Sequence, residues 1–282
     1  MVFMKFTKMH GLGNDYVCIN GFHEKILMPE KLAVALCDRH YGIGADGMLL
    51  ILPSEKADFK MELYNADGSS AGMCGNGIRC LGKYVFEHEM TKSQELMIET
   101  FSGLHLIYLQ MVSDKVEAVK VDMGEPILNA HRIPIRSEKD IVFQEPIQVC
   151  QKEFRMTGVS MGNPHIVIFV DELEHLPMEE WGLALEFHPR FPERINVEFC
   201  KIVDDRTIRV RVWERGVGET LACGTGASAA VVAAVLNRFT EWKVCVELPG
   251  GKLEVEWNPE TRHVFLTGGV RAVFEGEINE II

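Results

Sequence analysis

Apolar and polar residues alternate with period two in several short runs, among them Met61-Glu62-Leu63-Tyr64, Val116 to Val121 and Val210-Arg211-Val212-Trp213, and this alternation predicts half-buried strands. Val17-Cys18-Ile19 and Ile166-Val167-Ile168 are continuous apolar runs that also read as strands. Helices are predicted near Pro29 to Cys37 and Pro177 to Glu186, each opened by a proline suited to a first helical turn. Ala227 to Leu236 is apolar on every face except at Ser228, so a helix there must be buried on all sides. A more mixed helix is expected from about Ile78 to Glu87, where Leu81, Tyr84 and Val85 supply the apolar face. Strands rich in Val and Ile fill most of the remainder. The class is therefore mixed α/β or α+β.

A single offset aligns the two halves of the chain. Gly13-Asn14 and Gly162-Asn163 are 149 positions apart, as are Cys74-Gly75 and Cys223-Gly224, and the same shift places Gly77 on Gly226. It also lays Met61 to Tyr64 on Val210 to Trp213, and Val17 to Ile19 on Ile166 to Ile168. With a one-residue slip, Glu99 to Gly103 matches Glu247 to Gly251, a strand and a glycine turn after each cysteine-containing helix. A duplicated unit follows: two pseudo-symmetric halves, each a strongly curved, mostly antiparallel sheet wrapped around a central helix, with the active site expected in the cleft between them. The boundary is expected near Asp122 to Arg132, where the alternation gives way to Gly124, Pro126 and polar residues. This divides the chain into 1–123 and 124–269, and the last strand, within 270–282, can return to either half.

Composition narrows the class further. Among 282 residues, 47% are hydrophobic, enough for sizeable cores, and Lys and Arg number 29 against 41 Asp and Glu, a net charge of -12 without a basic stripe. That balance argues against nucleic acid or an anionic membrane as partner. The start, Met1-Val2-Phe3-Met4-Lys5-Phe6, lacks a charged segment followed by a long apolar one, so a cytoplasmic enzyme is expected. Eight cysteines show neither a disulfide framework nor paired zinc-ligand spacing. Cys18, Cys37, Cys150, Cys200 and Cys245 lie among apolar neighbours and read as small buried hydrophobes.

Cys74 and Cys223 differ, because each stands directly before a Gly-x-Gly that opens a helix: Cys74-Gly75-Asn76-Gly77 and Cys223-Gly224-Thr225-Gly226. A helix N-terminus favours a thiolate, which predicts thiol pKa values lowered toward neutrality, and its amides can hold a carboxylate. Two such corners give two acid/base thiols for opposite faces of one stereocentre. The competing reading is a pair of buried thiols in duplicated helix caps, since Gly-x-Gly is common at strand-to-helix turns for steric reasons. Repetition at equal offset weighs against it.

Asn65-Ala66-Asp67-Gly68-Ser69 followed by Cys74-Gly75-Asn76-Gly77-Ile78-Arg79 resembles the signature of the diaminopimelate epimerase family. Met9 to Tyr16, Gly162-Asn163-Pro164-His165, Asn196-Val197 and Glu214-Arg215-Gly216 resemble its other landmarks in family order, over nearly the whole chain. The resemblance implies cofactor-independent conversion of LL-diaminopimelate to the meso isomer, with neither pyridoxal phosphate nor metal, by a homodimer. It implies Cys74 and Cys223 as the acid/base pair and His165 and Glu214 as groups that tune them. Gly75, Asn76, Gly224 and Thr225 would hold the carboxylate at the reacting end. Asn14, Asn65, Asn163, Asn196, Glu214 and Arg215 would bind the rest, and their chemistry suits an amino-acid end: Arg215 for a carboxylate, Glu214 for an ammonium, asparagines for both. His10 is given no chemistry, and Arg79 either reaches the site or, as preferred, sits on its helix. Where many members carry a substrate-contacting glutamine, this chain has Gly47. Three alternatives remain: a two-thiol racemase of another amino acid, a thiol redox enzyme, and a non-catalytic anion-binding module.

Overall fold

The computed structural model describes residues 3–24, 26–72 and 74–279. The chain divides into two compact units, one formed by the residues up to Asp122 together with those from Thr267 onward, the other by Met123–Leu266.

In the first unit, β1 (Phe3–Gly11) and β2 (Asn14–Asn20) form a hairpin. Its two-residue turn, Leu12 and Gly13, has positive φ at both positions (56° and 86°), the arrangement whose twist matches paired strands. Helix α1 (Pro29–Cys37) follows, then β3 (Gly47–Leu52), β4 (Phe59–Asn65) and the short β5 (Ser70–Ala71). Next come α2 (Gly75–Glu87), β6 (Glu95–Thr100), β7 (Gly103–Val112) and β8 (Lys115–Asp122). Two neighbouring pairs are parallel, β2 with β3 and β4 with β6; the others, β3/β4, β4/β5, β6/β7 and β7/β8, are antiparallel.

The second unit repeats this plan: β9 (Glu145–Val149), β10 (Lys152–Ser160), β11 (Pro164–Phe169), α3 (Met178–Glu186), β12 (Asn196–Asp204), β13 (Thr207–Glu214), β14 (Gly218–Thr220), α4 (Gly224–Leu236), β15 (Lys243–Leu248) and β16 (Gly251–Trp257), and β17 (Val264–Gly269) runs across the division after Leu266. Here β11/β12 and β13/β15 are the parallel pairs, and β10/β11, β12/β13, β13/β14 and β15/β16 the antiparallel ones. The last strand, β18 (Arg271–Asn279), pairs antiparallel with β1, as β9 does with β10. The final strand thus belongs to the first unit.

Each sheet encloses its helix. Strands β1, β2, β3, β4, β7, β8 and β18 pack on α2, and β10, β11, β12, β13, β15 and β16 pack on α4. Every residue of α4 from Ala227 to Ala234 is fully buried, which is why the sequence there is all small and apolar except Ser228. Each buried valine of that helix contributes about 1.5–3 kcal/mol relative to exposure. On the outside, α1 sets Leu32, Ala33 and Leu36 against Val17, Ile19, Met48 and Leu50. Helix α3 sets Met178 and Leu185 against Phe199 and Trp213.

Both central helices begin three residues earlier than periodicity predicts, at Gly75 and Gly224. Glycine and polar residues in a first turn break the apolar pattern, but there the cysteine sulfur takes over the capping. No helix among the described residues is long and apolar enough to cross a membrane. Cys18, Cys37 and Cys200 are buried as expected, Cys245 is half-buried, and Cys150 is exposed, contrary to its reading as a core residue. Cys150 and Gln151 form the tight turn joining β9 to β10, both at positive φ, and a turn of that kind lies on the surface.

Candidate active site

Cys74 is the N-cap of α2: its backbone is extended (φ -136°, ψ 112°), and its Sγ accepts the Gly77 N–H at 3.5 Å. Cys223 caps α4 in the same way (φ -120°, ψ 119°), accepting the Gly226 N–H at 3.4 Å. Four residues into each helix a buried side chain bonds back to the first-turn carbonyl. Arg79 Nη1 donates to Gly75 O and Ser228 Oγ to Gly224 O, both at 2.9 Å.

Around Cys74 the polar partners come from the hairpin. The Tyr16 hydroxyl lies 2.9 Å from Cys74 Sγ and also donates to Asn14 Oδ1, which accepts from Asn76 Nδ2 at 3.0 Å. Burial first, and then the neighbouring Cys74, holds the Tyr16 phenol well above its ordinary range. Asn14 is fixed from its other end by Asp46 Oδ2, which accepts its Nδ2 at 2.8 Å. Asp46 and Asp15 are both tied to Arg39 Nη2 at 2.8 Å, and Asp15 also to Lys8 Nζ at 2.7 Å. Burial pushes the Asp15 carboxyl up, but Arg39 and Lys8 outweigh it and bring it to about 2. Arg79 is buried beneath this corner, donating also to Asn76 Oδ1 at 2.8 Å, while its Nε finds no partner among the described residues. It sits on its helix, as preferred, yet it braces both candidate carboxylate-binding residues there, Gly75 and Asn76.

Around Cys223 the same positions carry different chemistry. Thr225 Oγ1 lies 3.4 Å from Sγ and accepts from Asn163 Nδ2 at 3.2 Å. Asn163 Oδ1 is 2.9 Å from His165 Nε2, and His165 Nδ1 is 2.7 Å from Glu198 Oε1. Glu214 stands close enough to act electrostatically on the thiol, and its Oε1 accepts the Thr220 hydroxyl at 2.5 Å. Burial pushes the Glu214 carboxyl up against the Thr220 hydrogen bond and the nearby His165.

A family model described as diaminopimelate epimerase matches residues 6–129 and 157–273. A protein of that name from Acetivibrio thermocellus is 52% identical over 98% of this chain and 99% of its own, and one from Methanococcus maripaludis is 50% identical over 98% and 100%. The chain belongs to the diaminopimelate epimerase family. Among solved structures, a phenazine biosynthesis protein from Bacillus anthracis superposes with a TM-score of 0.70 at 16% identity, covering 99% of this chain and 100% of that one. A hydroxyproline epimerase from Agrobacterium vitis gives 0.64 at 17%, covering 98% and 91%. At such identities these two relate by fold alone.

The remaining family positions divide into placed and spent side chains. Asn196 is buried with both ends engaged: Nδ2 donates to Pro164 O at 2.8 Å and Oδ1 accepts the Arg215 N–H at 2.9 Å, so it joins β11 to the β13–β14 turn. The Arg215 side chain is exposed and donates to Glu193 O at 2.8 Å. Asn65, exposed at the end of β4, donates to Ser69 Oγ at 2.9 Å. Gly47 is sterically required: a Cβ there would meet the Tyr64 carbonyl oxygen at 2.7 Å, and the Tyr16 ring lies 3.6 Å away.

One expectation is reversed. Helix N-termini were expected to draw both thiols toward neutrality, whereas burial, and then the charges of Glu214 and Glu198, push the Cys223 thiol well above its ordinary value. The Thr225 and Gly226 hydrogen bonds oppose this and are outweighed. Sequence reasoning also missed Tyr16 and Glu198. Tyr16 maps onto His165 under the 149-residue offset, a signal that was there to be used. Glu198, set between Val197 and Phe199 in an alternating strand, reads as a solvent-facing residue.

Proposed function

We propose that this chain is an isomerase that epimerises LL-2,6-diaminopimelate to meso-diaminopimelate, with Cys74 and Cys223 as the acid/base pair, in lysine and peptidoglycan precursor synthesis. One sulfur takes the α-proton from one face as a thiolate and becomes a thiol. The other, starting as a thiol, gives its proton to the opposite face, and the pair ends with its protonation reversed. The α-carboxylate is held at the two helix N-termini by Gly75, Asn76, Gly224 and Thr225, where amide donors meet the developing negative charge. Asn14, Asn65, Asn163, Asn196, Glu214 and Arg215 recognise the distal amino-acid end, and His165 and Glu214 tune the thiols. No cofactor enters this scheme. We place the enzyme in the cytoplasm as a homodimer acting on a small-molecule amino acid, with no nucleic-acid or membrane partner.

The observation that carries this reading is the twice-built corner, a cysteine N-cap whose sulfur accepts the amide of the glycine three residues on, at 3.5 Å in one unit and 3.4 Å in the other. The test is α-deuterium incorporation from LL-diaminopimelate in deuterated water by wild type, Cys74→Ala and Cys223→Ala. Wild type is expected to exchange and to form the meso isomer, and each variant to lose about 10²–10⁴-fold in rate. An inert, reduced wild type would redirect the search to other amino acids; full epimerisation by either variant would reject the pair.

A further inference from the structure

Laid on itself at an offset of 149, the repeat pairs the side chains around the two cysteines and sets one buried carboxylate of the second unit against a leucine of the first. Asn14 answers to Asn163, Asn76 to Thr225, Arg79 to Ser228 and Tyr16 to His165, all 149 positions apart. In both units the aromatic or imidazole residue meets the asparagine Oδ1, and the asparagine meets the residue two past the cysteine. The strand register agrees: Cys18 pairs with Leu49 as Val167 pairs with Glu198.

Leu49 is the apolar side chain beneath the first helix start, its Cδ1 3.5 Å from where a Cβ on Gly77 would be. In the second unit that place is held by a carboxylate. Glu198 Oε1 would lie 2.6 Å from a Cβ on Gly226, and the residue is completely buried, with Oε2 lacking any partner among the described residues. Leucine fills the matching position in the first unit, so packing does not explain a glutamate whose one visible bond is to His165 Nδ1, itself completely buried. Leucine with tyrosine in one unit and glutamate with histidine in the other form a matched exchange.

The hydrogen bonds set the proton inventory. His165 has Glu198 Oε1 on Nδ1 and Asn163 Oδ1 on Nε2, and with Glu198 ionised only the doubly protonated ring donates to both. With its oxygen so engaged, the Asn163 amide turns its NH₂ to Thr225 Oγ1, and the Thr225 hydroxyl hydrogen is left for Cys223 Sγ. Resting on the epimerase reading, we propose that Glu198 is a positioning residue for the second thiol: its carboxylate pairs with His165 as an imidazolium, whose charged Nε2–H anchors an Asn163–Thr225 chain that ends as a donor on Cys223. The α4 N-terminus adjoining Glu198 favours its negative charge. That charge works against a thiolate on Cys223, and an imidazolium beside it offsets part of the effect. The other charged group acting on this corner is Glu214 from β13, while the buried Thr157 and Ser160 from β10 and Ser228 from α4 are neutral.

The test is nitrogen-15 NMR of His165 in full-length, substrate-free wild type, Glu198→Gln and Glu198→Leu, with His165→Gln to assign the signal. Both ring nitrogens are expected to carry a proton in wild type, and Nδ1, which loses its carboxylate acceptor while Nε2 keeps Asn163 Oδ1, to lose its proton in both variants. Glu198→Leu restores the packing of the first unit, so it is expected to fold. In parallel, kcat for diaminopimelate is expected to fall about tenfold in each variant, the scale of one charge-assisted hydrogen bond. A singly protonated His165 in wild type, or one unchanged in the variants, overturns the proposal whatever the turnover. So does unchanged turnover in a variant whose His165 has lost its proton. A wild type with the expected NMR signature that turns over no diaminopimelate leaves the chain standing and rejects the substrate instead.

Discussion

Four residues past Gly75, the helix capped by Cys74 carries Arg79; four residues past Gly224, the helix capped by Cys223 carries Ser228. Both are fully buried and both donate to the carbonyl one turn back at 2.9 Å. The backbone task is the same and the electrostatic content is not. The first corner has a buried cation under its cysteine and a phenol beside it. The second has two carboxylates and a histidine, and its thiol is pushed up. A duplicated scaffold thus fixes where two sulfurs sit, and the side chains behind each helix start decide what each sulfur does with a proton.

The largest expected effect on this comparison comes from removing the buried cation. Arg79→Ala deletes a large core side chain together with its bonds to Gly75 and Asn76, and should cost about 3–5 kcal/mol in urea unfolding. A loss under about 1 kcal/mol would mean that the first corner does not depend on that charge. Tyr16→Phe removes only the hydroxyl 2.9 Å from Cys74. Deuterium exchange is expected to slow about tenfold, with melting behaviour close to wild type; an unchanged rate would make the phenol a packing residue.

A third effect is read from pH. The Cys223 thiol is held above its ordinary value of 9.0 by burial and the two glutamates. Its contribution to stability is complete below that value and is lost as pH rises, because the unfolded thiol ionises first. Stability should therefore decline more steeply in wild type than in Cys223→Ala, by about 1.4 kcal/mol for each pH unit above about 9. Equal slopes would show that the second corner does not hold its proton more tightly than the unfolded chain. Smallest of all, Ser228→Ala should cost about 0.5–1.5 kcal/mol, one neutral hydrogen bond. A cost equal to that of Arg79→Ala would erase the distinction between the two corners.

Much of this was legible in the sequence, and for identifiable reasons. The repeat shows because Gly-Asn turns and Cys-Gly-x-Gly caps need particular residues at particular backbone positions, and the uniformly apolar run from Ala227 announces a helix enclosed by strands. Tyr16 and Glu198 escaped because strand alternation reports which face a residue occupies, and says nothing about whether a helix start covers that face. The raised Cys223 thiol escaped for a related reason: a helix N-terminus is visible in sequence, whereas the carboxylates brought beside it from β12 and β13 are a product of folding. The return of β18 to β1 was likewise undecided, since either half offered an edge for it.

That returning strand has a consequence for how the molecule is made. A ribosome delivers β1 first and its partner β18 last, whereas β9 and β10 emerge together, separated only by a tight turn. From the appearance of β1 to that of β18 the first unit carries an open sheet edge, the kind of surface that invites pairing with another chain. The second unit, continuous in sequence, has its strands in hand before the first has its last one. A nascent chain arrested at Leu266 would expose that edge indefinitely, so premature termination threatens the half that was translated first.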